Sequence, residues 1–256
     1  MKTWYKNTFR AAIALAAFAV MASMMPAHAA VDLNNERLNY EVVYQWGPIW
    51  KHAANATLSI KRSGDGYNAM LVGQTRSWAD KVYPVRDTLK CSLNSTLHPV
   101  KYEKITHEKN YYARDVVEFS YNGAATTGKC TRIRPGKETV HITLHSSDNA
   151  YDMLSVFYML RRMKFDSMVK NAYYKTTIFS GKKKESLAIK YLGTTQVKMR
   201  NGTKRDAIRV QFTFTTENGK HSSDGIDAYL STDAQHIPLV LVGKLPVGEV
   251  KVYYKG

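Results

Sequence analysis

Alternating hydrophobic and polar residues dominate the chain from Arg37 onward. In the segment 38–46 every even position is apolar or aromatic, which places these side chains on one face of a β-strand. Turn sequences such as Gly64-Asp65-Gly66, Asn122-Gly123 and Asn201-Gly202 separate several of the alternating segments. The pattern predicts a mainly β fold with an antiparallel rolled sheet, either a β-roll or an open barrel. The predicted strands are about 38–46, 53–60, 66–73, 86–93, 99–107, 111–121, 137–144, 173–180, 186–199, 205–216, 225–231, 237–243 and 248–254.

One segment departs from this alternation. Between residues 147 and 164, apolar residues centred on Phe157 recur at spacings of three, four and seven, which predicts one amphipathic helix. Ser147 or Asp148 is the predicted N-cap, and Asp152 would complement the positive end of the helix dipole. A single helix among many strands is expected to plug or cap an open end of the rolled sheet, with Phe157 in the core.

The first 29 residues have the features of a cleavable secretory signal. Lys2, Lys6 and Arg10 precede an apolar stretch, and the small residues of Ala27-His28-Ala29 follow it. The apolar stretch is shorter than the roughly 20 residues that a membrane span needs. We therefore predict a signal peptide over residues 1–29 and a single β-rich domain over 30–256. The mature protein is expected to be soluble, without a transmembrane segment, in the periplasm or outside the cell.

The chain is strongly basic, with a formal net charge of +16. Removal of the predicted signal takes away three basic residues and leaves a charge of +13. Such an excess creates a positive potential over much of the surface and favours anionic partners. Outside the cytoplasm these are acidic polysaccharide, lipopolysaccharide or lipid, and we expect no nucleic acid. A solvated surface without a specific partner is the alternative.

The sequence contains two cysteines, Cys91 and Cys130. An even number of cysteines in an exported protein favours a disulfide over a reactive thiol, so we predict a bridge between them. They do not form a Cys-x-x-Cys pair, and redox catalysis therefore has no support.

No motif supports catalysis, a metal site or a cofactor. Gly123–Cys130 has the glycine and lysine spacing of a phosphate-binding loop but ends in cysteine, and we interpret it as a small-residue hairpin turn. His141 and His145 lie on a predicted strand, too far apart to share a metal ion. Asp148 and Asp152 are interpreted as helix caps. The sequence thus predicts no catalytic residue.

Aromatic residues interleaved with lysine and arginine form the remaining signal. Aromatic faces stack on sugar rings, and cations bind phosphate or carboxylate, so these residues suit an anionic glycan or glycolipid. The alternative is ordinary strand chemistry, because tyrosine and tryptophan favour sheets and lysine protects exposed edges. The predicted ligand-binding residues are Trp46, Trp50, Tyr111, Tyr112, Arg114, Tyr173, Tyr174 and Lys175.

Diffuse structural motifs are spread over nearly the whole mature chain, at Leu38–Tyr44, Ala53–Leu58, Tyr83–Asp87, Leu97–Pro99, Asp152–Arg161, Tyr229–Asp233, Ile237-Pro238 and Gly248. In these segments the sequence resembles the domain-of-unknown-function 3108 family. The resemblance implies an exported bacterial protein with a rolled, mostly antiparallel β-architecture and no established activity.

Export, charge and aromatic residues together predict a non-catalytic binding module of the cell envelope. The ligand class is an anionic glycan or glycolipid. Two alternatives stay open at this stage. One is a structural protein that contacts an envelope protein partner, for which an exposed strand edge or apolar patch suffices. The other is a hydrolase, which rests only on scattered acidic residues and histidines.

Overall fold

Fifteen strands form one continuous sheet in the computed structural model, which describes residues 31, 33–217, 219, 225–244 and 248–256. The predicted signal peptide at 1–29 lies outside the described residues. In the described residues two short helices accompany the sheet, α1 (Ser77–Asp80) and α2 (Ser155–Arg161), with a 3₁₀ turn at Phe165–Ser167. The strands are β1 (Asn35–Trp46), β2 (Ile49–Ser63), β3 (Gly66–Thr75), β4 (Arg86–Leu93), β5 (Pro99–Glu108), β6 (Tyr111–Asn122), β7 (Ala125–Ile133), β8 (Val140–Ser146), β9 (Ala150–Tyr151), β10 (Tyr173–Phe179), β11 (Lys184–Lys198), β12 (Lys204–Thr216), β13 (Ile226–Ser231), β14 (Pro238–Lys244) and β15 (Glu249–Tyr254).

The sheet curls into a nearly closed barrel-like structure. Strands adjacent in sequence pair antiparallel almost throughout, and the first strand, β1, also pairs with the last, β15. The two ends of the sheet are therefore β8 and β9, from the middle of the chain. The fold class is mainly β with an antiparallel rolled sheet, as the alternating pattern predicts.

Side chains join the two ends of the sheet. The Ser146 hydroxyl on β8 donates a hydrogen bond to the Thr177 hydroxyl on β10 at 3.2 Å. The rings of Phe119 and Phe179 stack with centroids 5.7 Å apart. A Cβ atom at Gly128 would lie 2.6 Å from the Phe179 ring, so the contact requires glycine there. These contacts hold the seam of the barrel together where no strand ladder crosses it.

Helix α2 lies inside one end of the barrel. The Tyr158 hydroxyl donates to the carbonyl oxygen of Ser59 on β2, and Arg161 binds Glu36 on β1. Leu154 and Tyr158 pack into one hydrophobic cluster of the interior, whereas Leu160 packs into a second cluster. The helix thus plugs this end of the barrel, in agreement with the position expected for it.

The helix is shorter than the predicted 147–164 and begins at Ser155, after a turn that Asp152 caps. The Asp152 carboxylate accepts hydrogen bonds from the amides of Leu154 and Ser155, and the Ser155 hydroxyl accepts one from the Asp152 amide. This reciprocal arrangement is a capping box. The predicted cap at Ser147 or Asp148 is wrong, because Ala150–Tyr151 pairs with β10 as a strand. The capping role of Asp152 is confirmed. Phe157 is half-buried rather than central in the core.

The predicted Cys91–Cys130 disulfide is wrong, because both cysteines are free and buried. Cys91 pairs with Tyr102, Tyr102 with Val117, and Val117 with Cys130 on four successive strands. Three strand spacings amount to about 14 Å, whereas a disulfide needs its Cα atoms within about 7 Å. The Cys91 thiol instead donates to the Asp152 carboxylate at 2.9 Å.

Both thiols are expected to be unreactive in the folded protein. Burial raises the pKa of Cys130 to about 11 and raises the pKa of Cys91 further. The thiolate that reacts with Ellman's reagent is therefore scarce at pH 8. Two thiols should titrate after denaturation without reductant, and none before it. Denatured protein without a titratable thiol would contradict the free-cysteine arrangement.

Candidate functional site

A groove on the outer face of the barrel combines aromatic and basic side chains. It crosses β2, β1, β15, β14 and β13, and it has a volume of about 530 Å³. We call it the outer groove. This size falls within the roughly 300–1,000 Å³ of typical ligand pockets. Its lining residues are Trp50, Gln196, Val197, Lys198, Met199, Arg200, Tyr229, Val240, Val242, Lys251 and Tyr253.

A β-bulge sets which residues of β2 face this groove. The register of β1 and β2 shifts at Val42 and Val43, leaving Ala53 without a cross-strand partner. Side chains alternate between the two faces of a strand, so the extra residue reverses the alternation. Trp50 and His52 consequently point outward before the bulge, whereas Ala54 and Ala56 point inward after it. The bulge therefore brings Trp50 to the same face as Lys251.

The wall of the outer groove is the hairpin of β11 and β12. Beyond an irregularity between Tyr191 and Thr194, this hairpin folds over the outer face of the sheet. Val197 and Met199 from the hairpin form a small third hydrophobic cluster with Val43 and Tyr253 from the sheet. This cluster fixes the wall against the floor of the groove.

Cations in the outer groove contact aromatic rings and carboxylates. The Lys251 ammonium lies 4.1 Å from the centre of the Trp50 ring and 2.7 Å from a Glu249 carboxylate oxygen. Arg200 donates to the Glu41 carboxylate at 3.0 Å. Lys198 has no ion pair among the described residues. An ammonium over an indole ring is held by the ring quadrupole, so Lys251 is positioned rather than free in solvent.

A second lysine and tryptophan pair, Lys51 and Trp78, lies outside the outer groove, although Lys51 is adjacent to Trp50 in sequence. The Lys51 ammonium lies 4.0 Å from the centre of the Trp78 ring, and the Trp78 indole donates to the His52 carbonyl oxygen at 2.7 Å. A ring nitrogen of His52 lies 2.7 Å from the Arg76 guanidinium and 3.7 Å from the Glu41 carboxylate. The alternation along β2 places Lys51 on the face opposite Trp50, so this pair does not extend the outer groove.

Four exposed cations lie on the same outer face, nearer the plugged end. Arg37, Lys61, Lys90 and Lys101 line a concavity of about 500 Å³ across β1 to β5, which we call the cationic face. No ion pair joins any of them to a carboxylate in the described part of the chain. Glu103, which also lines this surface, pairs with Arg114. The cationic face therefore has four cations and, in Glu103, one carboxylate opposite Lys90.

The predicted ligand-binding residues lie at separate places. Only Trp50 lines the outer groove, and the described side chains do not include that of Trp46. Tyr111 and Tyr112 line a different concavity of about 490 Å³, next to Arg134, whereas Arg114 pairs with Glu103. The third cluster, at residues 173–175, lies at the start of β10.

The members of this third cluster differ in exposure. Tyr173 is 59 % exposed, and the Lys190 ammonium lies 5.5 Å from the centre of its ring. Lys175 is exposed, whereas Tyr174 packs against the second interior cluster. Burial raises the pKa of Tyr174. Tyr173 and Lys175 are accessible to a ligand, but the outer groove is formed by other strands.

The carboxylates Asp148 and Asp152 do not form an acid–base pair. Asp148 is exposed, whereas Asp152 is fully buried and caps α2. Desolvation is the largest cause that raises the pKa of Asp152, and its hydrogen bonds oppose that shift.

Among the described residues, no three histidine, cysteine, aspartate or glutamate side chains are placed to hold one metal ion. Nor does the described part of the chain contain a helix with the length and hydropathy of a membrane span.

The fold described above is that of a mainly β, barrel-like protein. The sequence model of a protein family of unknown function, DUF3108, matches residues 39–255, so the chain belongs to this family. The resemblance noted in the sequence is thereby confirmed. A search of curated proteins gave no match.

A solved structure shares this architecture. It is the crystal structure of a beta-barrel-like protein of the domain of unknown function DUF1849 from Brucella abortus. The two proteins are 11 % identical, and the similarity covers 88 % of this chain and 98 % of the other, with a TM-score of 0.58. At this identity the likeness concerns the fold alone.

Proposed function

We propose that this protein is a non-catalytic binding module of the cell envelope for an anionic glycan or the glycan headgroup of a glycolipid. The outer groove is its proposed site. The observation that carries the proposal is the arrangement of Trp50 and Lys251 in a groove that also contains Tyr253, Lys198 and Arg200. Export to the envelope is part of the proposal and rests on the signal-like sequence at residues 1–29.

The chemistry of the outer groove matches such a ligand in two ways. The Trp50 indole, which is 39 % exposed, offers a flat apolar face on which the C–H face of a sugar ring can stack. Lysine and arginine offer donors to carboxylate or phosphate groups. Arg200 and Lys251 already have carboxylate partners, so a ligand anion would share these cations with Glu41 and Glu249. Lys198 is the cation most readily available.

The cationic face supports an anionic ligand independently. Its four cations lie in two adjacent cross-strand rows, with Arg37 and Lys90 in one and Lys61 and Lys101 in the other. Clustered cations attract polyanions, and this attraction falls as salt screens exposed charges beyond about 8 Å. Salt dependence therefore separates the contribution of the charges from that of aromatic stacking.

Trp50→Ala is expected to weaken the binding of acidic polysaccharide or lipopolysaccharide about tenfold, equivalent to about 1.4 kcal/mol. Titration calorimetry at low and high salt measures this loss. The wild-type affinity should fall with salt without vanishing, because stacking persists when charges are screened. The loss caused by Trp50→Ala should remain at high salt.

Tyr173→Ala is the comparison for this experiment. Tyr173 is also an exposed aromatic residue close to a lysine, but it lies outside the outer groove. If Tyr173→Ala weakens binding and Trp50→Ala does not, the site lies at β10 instead. If wild-type protein binds neither ligand even at low salt, the proposed function is wrong.

One observation favours the alternative of a structural protein. Strand β8 ends the sheet, and Val140 at its start is 47 % exposed. An unpaired strand edge can accept an extended segment of a partner protein. Under this alternative, a proline substitution at Thr143, in the middle of β8, would abolish capture of an envelope protein without affecting glycan binding.

A further inference from the structure

A second cavity lies on the inner face of the sheet. It has a volume of about 180 Å³ and is bounded by β1, β2, β3, β14, β15 and the helix α2. We call it the inner cavity. Because it faces the barrel interior, it lies on the opposite side of β1 and β15 from the outer groove. Its lining residues are Tyr40, Val42, Ala56, Leu58, Leu71, Phe157, Pro238, Leu241 and Val252.

Solvent reaches most of the wall of the inner cavity. Apolar side chains on the inner face of a filled barrel should be fully buried, because packed interiors leave few voids larger than a water molecule. Here six of the nine lining side chains are only partly buried. These are Val42, Ala56, Leu71, Phe157, Leu241 and Val252. The interior packing is therefore incomplete at this place.

A small residue, Ala56, lines the inner cavity, and a second one lies beside it on the neighbouring strand. Ala56 on β2 pairs with Gly73 on β3. A Cβ atom on Gly73 would meet no other heavy atom within 4 Å, so open space extends from the cavity wall toward β3. Gly73 does not adopt a positive φ, and the backbone therefore does not require glycine here. The missing side chain keeps the space open.

The lining selects an apolar occupant. None of its nine side chains is charged, and its one polar group is the Tyr40 hydroxyl. Tyr40 is 4 % exposed, and its hydroxyl has no hydrogen-bond partner among the described residues. An apolar cavity of about 150 Å³ in another protein stays dry and binds benzene, so about 180 Å³ suits a small ring or a short length of hydrocarbon chain.

Two polar side chains lie on β4 and β5, beyond the wall of the inner cavity. Gly73 pairs with Asp87 on β4, and Leu89 on the same strand pairs with Lys104 on β5. Asp87 and Lys104 are both partly buried. A carboxylate and an ammonium therefore lie beyond the apolar wall, where a polar end of the occupant could be solvated.

We propose that the inner cavity binds the hydrocarbon chain of an amphiphile, with Phe157 as its floor and Gly73 as its opening toward β3. The polar end of the amphiphile would face Asp87 and Lys104. This site is separate from the outer groove and does not depend on the proposed glycan-binding function.

The test uses N-phenyl-1-naphthylamine, an uncharged apolar dye, with the mature protein purified without detergent. Saturable fluorescence enhancement with one site per molecule is expected, and decanoic acid should displace the dye. Gly73→Leu should reduce the affinity for the dye at least tenfold, because the new side chain occupies the cavity. Ala56→Leu, on the paired strand, should have the same effect.

Val72→Leu is the matched control. Val72 is adjacent to Gly73 but on the outer face of β3, so dye binding should be unchanged. Thermal unfolding of each variant shows whether it folds. Absence of saturable binding to wild-type protein would overturn the proposal, as would unchanged binding by folded Gly73→Leu or Ala56→Leu. Polysaccharide binding by the same variants tests the outer groove separately, since neither substitution touches it.

Discussion

Arg161→Ala is expected to lower the free energy of unfolding by about 3–5 kcal/mol, because it leaves a largely buried carboxylate without its partner. The Arg161 side chain is fully buried, and it donates to both oxygens of Glu36 at 2.6 and 2.7 Å. It also donates to the carbonyl oxygen of Gln235 at 2.8 Å. Urea unfolding followed by circular dichroism measures the change.

The neighbouring arginine provides the control. Arg162 is exposed, and its guanidinium donates a long hydrogen bond to the carbonyl oxygen of Thr96 at 3.3 Å. Arg162→Ala should therefore change the free energy of unfolding by no more than about 0.5 kcal/mol. The double variant Arg161→Met and Glu36→Leu should lose less stability than Arg161→Ala, because no charge remains buried. Equal effects of Arg161→Ala and Arg162→Ala would contradict the importance of the buried pair.

Phe179→Ala is expected to lower the free energy of unfolding by about 3–5 kcal/mol, the usual loss for a fully buried phenylalanine. Phe179 is completely buried and stacks on Phe119 across the seam of the barrel. Its removal deletes a contact between β10 and the β6–β7 hairpin, which no strand ladder replaces. Chemical unfolding gives the size of the loss.

Phe157→Ala is the comparison, because its ring is half-buried and lines the inner cavity. It contacts the Phe212 ring edge-on, at a centroid distance of 6.4 Å. Phe157→Ala should lower the free energy of unfolding by about 1–2 kcal/mol, less than Phe179→Ala, since less apolar surface leaves a packed environment. A larger loss for Phe157→Ala would show that the centre of the core lies at α2 instead of the seam.

The sequence predicts most strands well, because one buried face gives each strand a two-residue period. It fails at β7, where the small residues from Ala125 to Gly128 do not alternate in hydrophobicity. The glycine at 128 makes room for Phe179, which is distant in sequence, so no local pattern reveals it. The first part of the predicted helix fails for a similar reason, because pairing with β10 draws Ala150 and Tyr151 into the sheet.

The candidate site was predictable only in part. The sequence predicts Trp50 as a ligand-binding residue but none of the cluster of lysine and tyrosine at residues 251–255. Trp50 meets this cluster only because β1 pairs with β15. Of that cluster, Lys251 and Tyr253 face the outer groove, whereas Tyr254 faces inward and contacts Tyr40. The bulge at Ala53 turns Trp50 to the outer face, and the hairpin of β11 and β12 forms the wall of the outer groove. Cysteine number alone suggested a disulfide that the strand register forbids.

The pairing of the first strand with the last has a kinetic consequence. Val42 pairs with Val252, and contacts between residues so distant in sequence slow the folding of a chain. The groove and the inner cavity both include β15, so neither is complete until the end of the chain has joined β1. A partly synthesised chain would present β1 as an open edge, which is prone to aggregation. The protein should therefore fold late and as a whole, and truncation before β15 should abolish both sites together.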